Sequence, residues 1–293
     1  MRNLLKKYKI YPSKRLGQNF LIDKGAVKRV IEAANLQPDD IVLEIGPGTG
    51  VLTIELAKRV KKVIAVEKDQ KMIEILKETL KEFENVEIVQ EDILKFQIPN
   101  GAQAKLGRVA GGLESKLQIP NYKVVGNLPF YLTAPAIRKF LEAKNRPKEM
   151  VLIVQKEVGQ RICAKPPDMS ILAVSVQFYA KPKIVSYISK KSFWPQPKVD
   201  SAIIRITPRQ PAPYRNEVSG AGFRERFFGI VRAGFSQPRK QILNNFSKRL
   251  QLNKEEIKAW LLEGEIQPSQ RAETLTIKDW IKLTKTFNFK YGS

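Results

Sequence analysis

Ile41-Val42-Leu43-Glu44-Ile45-Gly46-Pro47-Gly48-Thr49-Gly50 decides the fold of this 293-residue chain. Its first residues read as a buried strand, and three glycines within five positions let the backbone turn tightly and approach a ligand more closely than a β-carbon allows. Val51-Leu52-Thr53-Ile54-Glu55-Leu56-Ala57 then starts a helix whose N-terminus faces whatever the turn holds. A second strand, Lys62-Val63-Ile64-Ala65-Val66, ends at Glu67, 21 residues beyond Gly46, where an acid can accept both hydroxyls of a ribose. A nicotinamide dinucleotide would fit this much. The glycines, however, read G-x-G-x-G rather than the G-x-G-x-x-G that cradles a pyrophosphate. Taken alone, the turn could also be an ordinary strand-to-helix connection.

Two further strand ends supply chemistry. Val86-Glu87-Ile88-Val89-Gln90 is followed by Glu91-Asp92-Ile93, which sets Asp92 and Ile93 in the crevice where open α/β sheets bind ligands. Asp92 could accept from an adenine amino group, or serve only as a loop carboxylate or the cap of a short turn. Lys123-Val124-Val125-Gly126 runs into Asn127-Leu128-Pro129-Phe130. An exocyclic aromatic amine is a poor nucleophile because its lone pair is conjugated into the ring. Acceptors aimed at its hydrogens, the Asn127 side-chain oxygen and a backbone carbonyl at Leu128 or Pro129, favour the tetrahedral nitrogen of the transition state. Pro129 fixes the backbone, with its carbonyl expected to point inward, and Phe130 offers a face on which a base can stack. As a lone tetrapeptide the same residues also suit a β-turn.

These motifs, with Leu16-Gly17-Gln18-Asn19-Phe20-Leu21-Ile22-Asp23, Gln155-Lys156-Glu157-Val158, the 193–201 run Phe-Trp-Pro-Gln-Pro-Lys-Val-Asp-Ser, Phe235-Ser236-Gln237-Pro238-Arg239-Lys240 and Arg271-Ala272-Glu273-Thr274-Leu275, make the chain resemble the ribosomal RNA adenine dimethyltransferase family over nearly its whole length. The resemblance implies S-adenosylmethionine as cofactor and dimethylation of two neighbouring adenosines near the 3′ end of small-subunit (16S) rRNA. It implies that Gln18, Asn19 and Leu21 line the cofactor mouth, that Gly46, with Gly48 in the same turn, lies against the methionine part, and that Glu67 holds the ribose. Lys68 and Asp92, with Ile93 beside them, would flank the adenine. Asn127 and the backbone after it would grip the target amine, and Phe130 and Phe193 would sandwich the flipped base. Where the family more often has tyrosine and serine, this chain has Phe130 and Thr133, losing one hydroxyl from the ring.

Composition points the same way. A net charge of +23 with a pI near 10 indicates a polyanionic partner, beyond what solubility or thermal adaptation asks of lysine. No apolar run approaches the length of a membrane span, so nucleic acid is favoured over a membrane. The absence of histidine and the single Cys163 exclude a His/Cys zinc site, a disulfide and a Ser-His-Asp triad. No metal is expected. Cys163 reads as a small packed residue, and one thiol fits a reducing cytoplasm.

The first 22 residues carry six basic side chains, Lys14 and Arg15 among them, and no acid. They read as an arm for RNA phosphates rather than a transit peptide, because cleavage would remove the Gln18–Leu21 motif. Residues 23–207 are expected to form a Rossmann-like methyltransferase domain. Asp23 caps its first helix at 25–34, and about seven strands include 150–154, 173–178 and an antiparallel 201–206. Within it Gln97-Ile98-Pro99-Asn100 recurs as Gln118-Ile119-Pro120-Asn121, marking an inserted excursion over about 97–121, a loop extension or an RNA contact. Residues 208–293 are expected to form a smaller helical RNA-binding domain. Its stretch 223–250 holds seven Lys/Arg against one acid, with a second helix starting near Pro238. Arg239, Lys240, Lys248 and Arg249 are the candidate phosphate contacts there, although any one could belong to a solvated face.

The expected partner is small-subunit rRNA within an assembling small ribosomal subunit, bound by a cytoplasmic monomer. Two other readings stay open. One is the related dimethyltransferase that modifies a large-subunit adenosine and confers antibiotic resistance, against which Leu128 and the 235–240 signature speak. The other is a non-catalytic RNA-binding assembly factor, which would need neither Asn127 nor the glycine turn.

Overall fold

The computed structural model describes residues 18–98, 119, 121–209 and 220–287, together with residues 5, 7 and 8. The chain divides into two compact units, Met1–Gly159 with Pro182–Pro208, and Gln160–Lys181 with Arg209–Ser293.

The first unit is built on a seven-stranded sheet. Its strands are β2 (Ile41–Ile45), β3 (Lys62–Glu67), β4 (Val86–Gln90), β5 (Tyr122–Asn127), β6 (Glu149–Gln155), β7 (Ala180–Ile188) and β9 (Ser201–Pro208), in the spatial order β4-β3-β2-β5-β6-β9-β7. The strands from β4 to β6 are parallel, and β9 runs antiparallel to β6. Parallel strands covered on both faces need apolar side chains on both, and Val42, Leu43, Val63, Ile64, Val124 and Val125 are completely buried. The chain reverses its direction of strand addition at β2, which has β3 on one side and β5 on the other. Ligand crevices form at such switch points, outside the carboxyl ends of the strands.

Register sets the rest. Ile45 pairs with both Val66 and Gly126, and Asn127 with Ile153, so the glycine turn, Glu67 and Asn127 leave the sheet at one level. Gly126 permits this, since a Cβ there would stand 2.9 Å from the Ile45 carbonyl oxygen. A separate two-stranded sheet joins β1 (Phe20–Leu21) to β8 (Phe193–Trp194), with Leu21 opposite Phe193. Asp23 caps helix α1 (Lys24–Ala33), accepting from the Gly25 and Ala26 amides, as the sequence suggests. Its other carboxylate oxygen accepts from the Ser192 hydroxyl at 2.7 Å.

The second unit is helical around an aromatic core. Phe227, Phe246, Trp260 and Trp280 are essentially inaccessible, and Phe235 stacks on Trp280 with centroids 5.5 Å apart.

Two expectations are corrected. Residues 173–178 are not a strand: they lie in helix α6 (Ile171–Tyr179), which Ser170 caps by accepting from the Ala173 amide. The seventh strand is β7, whose Lys181, Lys183, Val185 and Tyr187 face solvent. It occupies the sheet's edge, the position in a sheet that tolerates a proline such as Pro182. The helix after Pro238 begins only at Ile242, because residues 235–241 form a turn closed by the Asn245 side-chain amide on the Gly234 and Gln237 carbonyls. Most of the expected insertion lies outside the described residues. Of its end, Ile119 is buried and its carbonyl accepts from the Asn145 side chain at 3.0 Å.

Candidate active site

A cavity of about 490 Å³ opens at the carboxyl ends of β2, β3 and β5. Gly46 and Gly48 line one wall, and with Gly50 they take φ of +63°, +57° and +83°, a region that other residues enter at a cost. A Cβ at Gly46 would meet nothing within 4 Å, whereas one at Gly48 would stand 3.2 Å from the Phe20 ring. Gly50 caps helix α2 (Val51–Ala57).

Glu44 also lines this cavity, at 1% exposure, and its Oε2 finds no hydrogen-bond partner among the described residues. Burial pushes its carboxyl up to about 8, with Glu67 nearby adding to the rise. The motif alone assigns Glu44 no role. An acid inside an otherwise apolar strand, just ahead of a glycine turn, was the available signal.

Glu67 accepts from the Lys68 amide at 2.7 Å and the Asp69 amide at 2.9 Å through Oε1, and from the Gly48 amide at 3.4 Å through Oε2. Burial raises its pKa against the pull of those amides. Oε2, with one long bond, keeps acceptor capacity towards the cavity. Asp92 accepts from the Lys68 ammonium at 2.8 Å and from the Leu94 amide at 2.9 Å, and the lysine contact holds its carboxyl below the usual range. Asp92 is thus a turn cap and a cavity residue at once, with the buried Ile93 beside it.

The Asn127 side chain donates its Nδ2 to the Asn19 carbonyl at 2.9 Å. A carbonyl can only accept, so the amide nitrogen must face it and the amide oxygen is left as an acceptor for another donor. Leu128 is buried and its amide bonds to the Ile153 carbonyl at 3.0 Å. The Pro129 carbonyl does not point inward as expected. It accepts from the Leu132 amide at 3.0 Å and the Thr133 hydroxyl at 3.3 Å, because Pro129 is the N-cap of helix α4 (Phe130–Glu142). Of the two backbone carbonyls expected to meet the amine, this leaves the Leu128 carbonyl as the candidate.

Phe130 stands 66% exposed, while Phe193, on β8, is 4% exposed. Both line the cavity. Tyr131, also half-exposed in its lining, was not singled out from the sequence. Gln18 reaches the Asp69 carboxylate at 3.5 Å, and Leu21 is buried at its pairing with Phe193. In the second unit Arg239, Lys240, Lys248 and Arg249 are all exposed. Lys14 and Arg15 lie outside the described residues.

Cys163 is half-buried, which pushes its thiol up to about 11 and leaves it unreactive at neutral pH. Among the described residues there is no cluster of His, Cys, Asp and Glu able to hold a metal, and no helix long and apolar enough to cross a membrane.

The profile of the ribosomal RNA adenine dimethylase family matches residues 12–288. Curated relatives named ribosomal RNA small subunit methyltransferase A include that of Dehalococcoides mccartyi strain BAV1, 41% identical over 96% of this chain and 90% of the relative. That of Clostridioides difficile strain 630 is 38% identical over 100% of this chain and 96% of the relative. Among solved structures, a dimethyladenosine transferase from Plasmodium falciparum superposes with a TM-score of 0.72 at 26% identity, covering 92% of this chain and 97% of that one. The 23S rRNA methyltransferase ErmE superposes with a TM-score of 0.71 at 25% identity, over 92% of this chain and all of that one.

Proposed function

The chain belongs to the ribosomal RNA adenine dimethylase family, and on that premise we propose that it dimethylates the N6 amines of two adjacent adenosines near the 3′ end of small-subunit rRNA, through the cavity at Asn127. The observation that carries the assignment of the site is the Asn127 amide, whose nitrogen is tied to Asn19 so that its oxygen is left to accept.

The cavity fits S-adenosylmethionine, the family's cofactor. It combines an open glycine wall, Glu67 with acceptor capacity for ribose hydroxyls, and a Lys68–Asp92 pair beside Ile93 for an adenine edge. When bound, this cofactor supplies an electrophilic methyl group on a positively charged sulfur. The chain's residues do the remainder. Asn127 Oδ1 and the Leu128 carbonyl accept the two amine hydrogens, drawing the nitrogen out of conjugation and towards tetrahedral geometry. Phe130 and Phe193 hold the extruded base, and the methylated nitrogen can shed its proton to water without a general base. Arg239, Lys240, Lys248 and Arg249 contact RNA phosphates. The protein works as a cytoplasmic monomer on an assembling small subunit.

The large-subunit alternative draws on the likeness to ErmE, but relatives at 38–41% identity carry the small-subunit name. The deciding experiment supplies labelled S-adenosylmethionine and undermethylated small and large ribosomal subunits side by side, with nucleoside analysis of the product. Dimethyladenosine confined to small-subunit RNA is the expected result. Label in large-subunit RNA would transfer the assignment to the resistance class, and tight cofactor binding without transfer would indicate a binding factor.

A further inference from the structure

Between Asp168 and Asp200 the sequence holds five lysines and no acid. Lysines at an exposed sheet edge can serve only to discourage edge-to-edge pairing, which accounts for Lys183 on β7. It does not account for what lies at the far end of that strand. Tyr187 is 47% exposed, and the Lys156 ammonium sits over its ring, 5.2 Å from the centroid. Asp200 draws the neighbouring lysines to the same place: its carbonyl accepts from the Lys156 amide and its Oδ1 from the Lys190 amide, each at 2.9 Å. Lys191 follows in the same short turn and is exposed.

This cluster adjoins the cavity through the chain itself. Gln155 precedes Lys156, Val199 and Ser201 flank Asp200, and Phe193 follows the Lys190 turn; all four line the cavity. Extruding one base into a pocket leaves its neighbours without a stacking partner and brings their phosphates to the rim. An exposed aromatic ring under one ammonium group, with two further lysines three and four positions along the chain, suits unstacked bases and a single-stranded backbone.

Resting on the adenosine-methylating function proposed above, we propose that Tyr187 with Lys156, Lys190 and Lys191 forms a platform for the RNA strand next to the target adenosine, Tyr187 stacking a flanking base and the lysines holding its phosphates. The platform belongs to the same unit as the cavity, separately from the basic residues of the helical unit.

The test compares wild type, Tyr187→Ala, Tyr187→Phe and the double variant Lys190→Ala/Lys191→Ala in methyl transfer to undermethylated small subunits. The same proteins are also tested for binding to a single-stranded RNA oligonucleotide. Tyr187→Ala is expected to raise the subunit KM and weaken oligonucleotide binding by about five-fold or more. Tyr187→Phe should restore both, and the KM for S-adenosylmethionine should stay unchanged. The double lysine variant should reduce the salt slope of oligonucleotide binding by about 1.4, the share of two phosphates on a single strand. Unchanged subunit KM, oligonucleotide affinity and salt slope in an active enzyme would overturn the platform and leave the proposed function standing. A wild type that methylates no small-subunit RNA would defeat the function instead, and oligonucleotide binding would still decide the platform.

Discussion

Replacing Glu44 with glutamine should change how the stability of this protein depends on pH. The carboxyl is 1% exposed and its pKa rises from an ordinary 4.5 to about 8, principally through burial. Between those values the unfolded chain has released the proton while the folded one keeps it. The folded state then binds more protons, so stability falls as pH rises, at roughly 1.4 kcal/mol per pH unit. Its contribution is fully present below pH 4.5 and is lost progressively up to about pH 8, where the loss approaches ~5 kcal/mol, of the order of a domain's whole stability. Glu44→Gln keeps the shape, removes the titration, and should flatten this decline. Urea unfolding of both proteins at several pH values between about 5 and 8 reads it directly. Subtracting one profile from the other cancels every titrating group the two share. The variant should gain on wild type steadily as pH rises. A difference that stays constant across the range would show that Glu44 is already ionised in the folded protein, and the argument from its burial would fail.

Asn127→Ala should lower methyl transfer by roughly a hundred-fold or more while leaving cofactor affinity within a few fold, because its amide oxygen acts mainly in the transition state; an equal loss in cofactor titrations would show the residue misassigned. Gly126→Ala places a methyl 2.9 Å from the Ile45 carbonyl oxygen and 3.1 Å from its Cβ, so β2 and β5 must part beside Asn127. Overpacking of this kind costs roughly 1–3 kcal/mol in denaturation, and turnover should fall even at temperatures where the variant is folded. Replacing Arg239 and Lys240 together with alanine should flatten the salt dependence of rRNA binding by up to about two units, and an unchanged slope would move the phosphate contacts elsewhere.

How far the sequence disclosed this structure follows from which side chains each element must bury. β2, β3, β5 and β6 are covered on both faces, so their runs are largely apolar, and the first three end at glycine, acid or asparagine. The glycine turn, Glu67, Asp92 and Asn127 were legible for that reason. α6 misled because Val174, Val176 and Phe178 are buried while Ser175 and Gln177 are only half-buried, an alternation that reads as a strand's period of two. The Gln177 side-chain amide explains the tolerance, since it donates to the Ile162 and Ala164 carbonyls. β7 was missed for the opposite reason. An edge strand can expose every second residue, so its Lys-Pro-Lys start and interrupted apolar pattern resemble a loop.

The active site shows a second limit, which lies in hydrogen-bond allocation. From sequence, the carbonyls of Leu128 and Pro129 were equivalent candidates for the target amine. They become distinct only because helix α4 starts at Phe130, and its first turn takes the Pro129 carbonyl through the Leu132 amide and the Thr133 hydroxyl. Thr133, which looked like a mild departure from the family's serine, keeps the hydroxyl that makes this second bond. The orientation of Asn127 likewise depends on a carbonyl 108 positions away, at Asn19. On the proposed function, the N-terminal motif would act on the chemistry as well as on the cofactor mouth, because its Asn19 carbonyl fixes which end of the Asn127 amide is left to accept. A change that loosens the pairing of Leu21 with Phe193 should impair methyl transfer by letting that amide turn, even where cofactor affinity is preserved.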